Sequence, residues 1–367
     1  MKKYQTWSPE NPKLYDVEYI VSDKEGKVLD RISSYLGMRK VHTDGNKVYL
    51  NNEPYYQRLV LDQGFYPDGI WTAPSDASLR GDIELSMQAG FNGARLHQKV
   101  FEERFYYWAD KLGYLCWGEY ASWGMWEGSP LAARNFLAEW QDILVRDRNH
   151  PSIITWTPFN ETWYPDNVQY PRMMEDTYDL THAIDPTRPV NTVSGGVLTE
   201  VYDICTMHNY EQDPVKLKNK VYNAETGEFF NYKYNSLKPK NHSANALTGT
   251  YANHGDLEPA IYDKERPYIL DEFGGIKCAE TTPAKNDKER KSSWGYGDAA
   301  PTKEDFYKRL ESQVNALLEL GDQVCGYCYT QLTDVEQEQN GIYYYDRSAK
   351  FDMKRVHAIF SKNPKTK

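Results

Sequence analysis

The chain has 367 residues, 40% of them hydrophobic and 14% aromatic, with a formal net charge of −10. That is enough apolar material for one large α/β domain with an appendage, or for two ordinary domains. The acidic balance argues against nucleic acid as a partner, which requires a concentrated basic face. No run of about 18 apolar residues occurs, so no membrane span is expected. The start, MKKYQTWSPENP, lacks the apolar stretch of a signal peptide, and no compartment is assigned.

In chain order, YDVEYIVSD (15–23) and KVLDRISSYLGMRKV (27–41) alternate in the manner of strands around a DKEG turn. Two strands are not a stable unit alone, so residues 1–40 read as the end of a β-sandwich or as an appendage packed on the rest of the chain. KVYLNNEPYYQ (47–57) reads as a hairpin turning at Asn51 and Asn52. From residue 56 a strand–helix rhythm sets in. Strands are expected at YQRLVLDQ (56–63), NGARLH (92–97), YLCWGEY (114–120), SIITWTPFN (152–160), PVNTVSG (189–195), DICTMHNY (203–210), PYILDEFGG (267–275) and QVCGYCYTQLTD (323–334).

Helical periodicity lies between several of these. SDASLRGDIELSMQAG runs from a Ser-Asp start to Gly90, FEERFYYWADKLG ends on Gly113, and PLAARNFLAEWQDILVRD and KEDFYKRLESQVNALLELG carry apolar residues three and four apart. Residues 211–266, rich in Asn, Lys and Tyr, read as a long loop excursion. Eight strands alternating with helices predict a (β/α)8 TIM barrel over 41–367. A doubly wound sheet is the alternative, but no G-x-G-x-x-G follows the first strand. The five cysteines suggest buried thiols. Cys325 and Cys328 form a C-x-x-C that strand alternation would turn to opposite faces, and no second pair supports a zinc site.

Chemistry in such a barrel sits at the C-terminal ends of the strands. The polar residues there are Asp62 and Gln63, Arg95 and His97, Glu119, Asn160 and Glu161, Ser194, His208 and Asn209, Asp271 and Glu272, and Gln331 and Asp334. Trp117, Trp123, Trp126, Trp156 and Trp163 lie near them in sequence, and aromatic faces suit sugar rings as well as ordinary cores. Glycoside hydrolysis needs two carboxyl groups flanking one bond, one protonated and one ionised. Glu161 on the fourth strand and Glu272 on the seventh can supply them; a solvated rim carboxylate is the plain alternative for Glu161. Asn-Glu recurs at Asn52-Glu53, where the hairpin turn accounts for it.

RDRNHPSIITWTPFNETW, PYILDEFGG and GYCYTQLTDVEQEQNGIYYYDR resemble the catalytic barrel of glycoside hydrolase family 2, which contains β-galactosidases, β-glucuronidases and β-mannosidases. GFNGARLHQKVFEERFYYWADKLGYLCWGEY is similar to the family's second-strand and third-strand region. WSPENPKLYDVEY with GMRKV resembles the end of the immunoglobulin-like domain that precedes the barrel.

The resemblance implies a retaining, exo-acting β-glycosidase with Glu161 as general acid/base, Glu272 as nucleophile and Asn160 bonding the sugar 2-hydroxyl. Adjacent strand residues face opposite ways, so Asn160 and Glu161 can share a site only across a bulge or turn. Regular alternation aims Asp271 away from Glu272, as a supporting residue. Arg95 matches a family arginine near the nucleophile, and a barrel salt bridge is its alternative. His97, Glu119 and His208 are candidate substrate contacts or satisfied structural groups. Tyr329 stands where the family has a tryptophan floor.

Glu338-Gln339-Asn340 lacks the lysine of the glucuronidase Asn-x-Lys, which favours a β-galactosidase-like or β-mannosidase-like substrate over a glucuronide. The magnesium ligands of large bacterial β-galactosidases are unmatched in GEYASWGMW, so no metal or other cofactor is expected. N-terminal sugar-binding and sandwich domains are expected in the full-length protein. The competing readings are a non-catalytic carbohydrate-binding barrel, and a metal-dependent hydrolase using His97, Glu119 and His208, which lacks any E-x-x-H spacing.

Overall fold

The computed structural model describes residues 4–125, 129–162, 169–196, 201–229, 265–282 and 293–364. Tyr15–Ser22 and Val28–Leu36 pair antiparallel as a projecting hairpin, with Gly26 taking the left-handed φ of 83° its turn requires. Val41–Asp44, Lys47–Leu50 and Glu53–Pro54 form a small antiparallel sheet. Its turn falls on Asn51 and Asn52, at φ 54° and 69°, the residue type that best tolerates that region.

The barrel strands are Gln57–Asp62, Gly93–Leu96, Leu115–Glu119, Ile153–Thr157 with Phe159–Asn160, Val193–Ser194, Cys205–Asn209, Tyr268–Gly274 and Gly326–Thr330. Seven are hydrogen-bonded in parallel in the order six, seven, eight, one, two, three, four. The fifth closes the ring. Phe159–Asn160 pairs with Val193–Ser194, Asn191 N–H donates to Trp156 O at 2.9 Å, and Asp203 N–H donates to Val190 O at 2.8 Å. The eight strands therefore fall where the sequence predicts them, each buried on both faces as an enclosed parallel strand must be.

Two apolar layers follow from that alternation. Leu59, Leu61, Leu115, Trp117, Ile154, Ile204 and Ile269 fill the barrel's lower interior. Trp7, Val41, Val48 and Leu50 close its floor, and the Trp7 indole donates to Asp110 O at 2.8 Å. Val60, Ala94, Leu96, Cys116, Trp156 and Phe273 face the helical layer instead. All five cysteines are free and buried. Cys325 and Cys328 nonetheless share the interior cluster, against the expectation of opposite faces, because Cys325 precedes the strand that starts at Gly326.

The helices Asp76–Ala89, Glu103–Leu112, Pro130–Asp147 and Lys303–Leu318 match the periodic segments. Ser75 and Thr302 cap two of them by accepting from Ser78 N–H and Asp305 N–H. Gln169–Ile184, Pro214–Val221 and Met353–Phe360 are helical as well. The second of these falls within the expected loop excursion. It is a short lysine-rich helix with only Leu217 and Val221 buried, started by an Asp213 cap and Pro214, so its apolar signal is two residues long. Residues 230–264 of that excursion lie outside the described residues.

Candidate active site

The polar core at the barrel mouth is built around Arg95, which is fully buried on the second strand. Its Nε donates to Glu119 Oε1 at 2.7 Å, NH1 to Glu272 Oε1 at 3.1 Å and to Asp271 O at 2.8 Å, and NH2 to Asn160 Oδ1 at 3.0 Å. One guanidinium thus ties the ends of strands two, three, four and seven. The candidate residues Arg95, Glu119, Asn160 and Glu272 meet on it.

Asn160 and Glu161 share the mouth because the chain leaves the fourth strand there. Glu161 sits at φ 47° and its N–H donates to Ser194 O at 2.8 Å. A left-handed residue at that point breaks the alternation that would turn the carboxylate outward. Asn160 is buried, and its Nδ2 has no hydrogen-bond partner among the described residues.

On the seventh strand Asp271 has the supporting place expected of it but not the expected facing. The pairing register shifts between Leu270 and Phe273, and on the other side between Met207 and His208. This bulge turns Asp271 and Glu272 to the same interior. Asp271 Oδ2 accepts from Ser194 Oγ at 2.6 Å and stands 3.7 Å from Arg95 NH1. It braces the site from below.

His208 bridges the two candidate catalytic carboxylates. Its Nδ1 lies 2.7 Å from Glu161 Oε1, and its Nε2 lies 2.8 Å from Ser194 Oγ and 3.3 Å from Glu272 Oε1. A carboxyl oxygen of Glu161, a ring nitrogen of His208 and a carboxyl oxygen of Glu272 all lie within 4.8 Å of one another. These are metal-ligand types, but Glu161 and His208 meet at 2.7 Å. That is the spacing of a shared proton, since two ligands at bonds of about 2.1 Å on one tetrahedral ion stand over 3 Å apart.

The electrostatics follow from crowding. Burial pushes Glu272 up to about 7, against the charges of His208 and Arg95 and with that of Glu161 adding to the rise. Burial also opposes charge on Glu161, but the hydrogen bond and charge of His208, with Arg95, hold it below its ordinary value. His208 is raised, because Glu272, Asp271 and Glu161 outweigh the burial that disfavours its cation. His97 is driven well down by burial, then by Arg95 and His208, and stays neutral. Its Nδ1 stands 3.7 Å from Glu119 Oε2 and 4.0 Å from Glu272 Oε1, with its ring edge-on to Trp123.

Tyr329 is not at the mouth. It is buried among Phe273 and Phe360 in the layer between strands and helices, and it approaches Gly274 so closely that a Cβ there would meet its ring. Strand alternation puts Thr330, not Tyr329, on the inner face. Trp156 likewise points outward, with its indole donating to Asp185, while Trp117 packs in the lower core. Trp123 is exposed on the rim; Trp126 and Trp163 lie outside the described residues.

Two further residues complete the site. The Tyr210 hydroxyl donates to Glu272 Oε2 and stands 3.1 Å from Thr330 Oγ1. Tyr210 lies two residues after His208, just past the end of the strand at Asn209, so period-2 alternation carried one residue further could have found it. Tyr296 stacks flat on Tyr210, with ring centroids 3.3 Å apart. It comes from the irregular segment after the seventh strand, where no sequence pattern marks it.

Residues 72–279 match the family model described as glycosyl hydrolases family 2, TIM barrel domain, and residues 1–39 match the model described as glycosyl hydrolases family 2. A β-galactosidase of Photobacterium profundum is 29% identical over 216 residues, 57% of this chain and 20% of that protein. One of Vibrio cholerae is 30% identical over 210 residues, 55% of this chain and 20% of that protein. A β-galacturonidase from Eisenbergiella tayi bound to galacturonate superposes with a TM-score of 0.71 at 18% identity, covering 98% of this chain and 60% of that one. A β-D-glucuronidase from Dictyoglomus thermophilum gives 0.71 at 19%, with the same coverage of 98% and 60%. At such identities the structures speak for the fold. The chain spans about a fifth of the curated relatives' length. With the barrel-domain model matched across more than half its residues, the chain belongs to glycosyl hydrolases family 2.

Proposed function

We propose that this chain carries the catalytic barrel of a retaining, exo-acting β-glycosidase that acts on neutral β-linked sugars, with β-galactosides the first candidates. The observation that carries the reading is the approach of Glu161 and Glu272, with oxygens within 4.8 Å across the mouth. Double displacement needs carboxyl groups about 5–5.5 Å apart, whereas inversion needs about 6.5 Å or more to admit a water.

In the proposed reaction Glu272 attacks the anomeric carbon while Glu161 protonates the departing glycosidic oxygen. Glu161 then takes a proton from the water that releases the sugar. Arg95 and Tyr210 hold Glu272 in place through NH1 and the phenol. Asn160 Nδ2, buried and without a partner among the described residues, is the donor offered to a sugar hydroxyl. At rest the proton balance is reversed, with Glu272 raised and Glu161 lowered. Positive charge developing at the anomeric carbon favours ionised Glu272, and His208, bonded to Glu161 and 3.3 Å from Glu272, offers the proton a path.

The curated relatives named β-galactosidases support the galactoside choice. The hairpin of residues 15–36 is exposed over most of its length, including Tyr19, Ile20, Val21, Leu29 and Ile32. That exposed face, with residues 1–39 matching the second family model, supports the hairpin as one edge of a β-sandwich.

The test is a panel of nitrophenyl β-galactoside, β-glucoside, β-mannoside and β-glucuronide. Turnover of a neutral sugar, lost by at least about 10³-fold in Glu272→Ala and restored in part by azide as a replacement nucleophile, supports the reading. Wild-type rates in that variant would dismiss it.

A further inference from the structure

Trp123 stands on the rim after strand three with 63% of its surface exposed, yet the loop that carries it is fixed. Gln98 Oε1 accepts from two successive amides of that loop, Ser122 N–H at 2.7 Å and Trp123 N–H at 3.2 Å. Gln98, just past strand two, sits at a left-handed φ of 55°. Its N–H donates at 3.2 Å to Glu119 Oε2, on the carboxylate that Arg95 also binds. On the other flank Asn160 N–H donates to Ser122 Oγ at 3.1 Å. The loop is thus stitched to the ends of strands two, three and four, and the polar frame that places the candidate carboxylates also places Trp123. Single exposed apolar side chains are ordinary on protein surfaces. A large ring left in water on a backbone pinned to a buried site is what a binding platform needs, and left-handed backbone outside glycine gathers at such sites.

The platform lies on the side of the leaving group. Ser122 bonds the residue directly before Glu161, the proposed acid, and the acid must face the departing oxygen. The His97 and Trp123 ring centroids are 5.9 Å apart with their planes at 87°, and His97 Nδ1 is 4.0 Å from Glu272 Oε1. One side chain thus separates Trp123 from the proposed nucleophile. The Glu161 side chain is 28% exposed and that of Glu272 only 6%. The pair therefore opens to solvent past the acid, where the aglycone of an exo-acting enzyme has to project.

We propose that Trp123 is the stacking platform for the aglycone, taking the flat apolar face of a ring next to the scissile bond. This rests on the glycosidase reading and deepens it by assigning the leaving-group class, a ring-bearing group in place of a small alkyl one. An aryl or pyranose ring buries apolar area on the indole face, and a leaving group without a ring reaches none of it.

Three β-glycosides of the neutral sugar that the panel selects, or of galactose if it selects none, test this. They are the nitrophenyl glycoside, the β-1,4-linked disaccharide on glucose, and the glycosyl fluoride, whose leaving group has no ring. Trp123→Ala should lower kcat/KM by about tenfold or more for one or both ring-bearing substrates and leave the fluoride within about twofold, and Trp123→Phe should recover most of the loss. The substrate that loses rate identifies the ring the platform takes, aryl or sugar. Unchanged rates on both ring-bearing substrates, or an equal loss on the fluoride, overturn the proposal. Calorimetry of the nitrophenyl and methyl β-thioglycosides of the same sugar gives a second readout that needs no turnover. Wild type should bind the nitrophenyl compound about tenfold tighter, and Trp123→Ala should lose that preference. No preference in wild type, or one that survives in the variant, overturns the platform. If binding shows the preference but no glycoside is hydrolysed, the hydrolysis reading fails while the platform stands.

Discussion

At the scale of single residues, the site is a contest between burial and the charges of Arg95 and His208. Burial pushes Glu272 up to about 7, against the charges of His208 and Arg95, and the charge of Glu161 adds to the rise. As the proposed nucleophile Glu272 must be ionised, so kcat/KM should fall below about pH 7, tending to tenfold per pH unit on the acid side. Replacing Tyr210 with Phe removes a hydrogen bond that favours the ionised form, so that limb should move to higher pH, and the pH profile of the variant checks it. The same shift has a stability consequence. Glu272 binds its proton more tightly folded than unfolded, so its contribution is full below the unfolded value and is lost as pH rises through about 7. Glu272→Gln should therefore gain stability relative to wild type at pH 8 and not at pH 4, by on the order of 2 kcal/mol, read by urea melts at both pH values.

Much of this residue set was legible as polar side chains at the ends of barrel strands, because the strand ends themselves are marked in sequence. What strand counting could not supply was facing. Asp271 turns inward because of a bulge that no residue type announces, and Tyr329 turns outward because its neighbour Thr330 takes the inner face. Tyr210 was readable by the period-2 rule, while Tyr296 arrives from an irregular segment.

At the scale of elements, Arg95 is the cross-brace of the mouth. It joins strands two, three, four and seven through charge-assisted bonds. Removing it leaves Glu119 and Glu272 buried beside Asp271 without their cation, and breaking such a pair from one side costs about 3–5 kcal/mol. Arg95→Met should show that loss in chemical denaturation, with the loss shrinking at low pH as the carboxylates protonate. The strands were predictable because enclosed parallel strands read as short continuous apolar runs. The helix Pro214–Val221 was not, since two buried residues among lysines carry too little periodicity.

At the scale of the whole molecule, the barrel is closed at one end and chemically open at the other. Trp7, well before the first barrel strand in sequence, plugs the floor with Val41, Val48 and Leu50. Trp7→Ala should cost about 3–5 kcal/mol through the cavity it leaves, while kcat of the folded fraction changes little because the mouth lies at the far end. Loss of activity without loss of stability would contradict that separation of floor and mouth. The (β/α)8 plan follows from strand and helix rhythm, but the floor plug depends on contacts distant in sequence, which no local pattern encodes.

The central claim is that Glu161 and Glu272 work as a retaining pair across that mouth. Proton NMR of the sugar released from the best neutral substrate of the panel, followed from the first minutes, tests it most directly. The β-anomer should appear first and the α-anomer only by later mutarotation; an α-anomer formed first would mean inversion and would contradict the account.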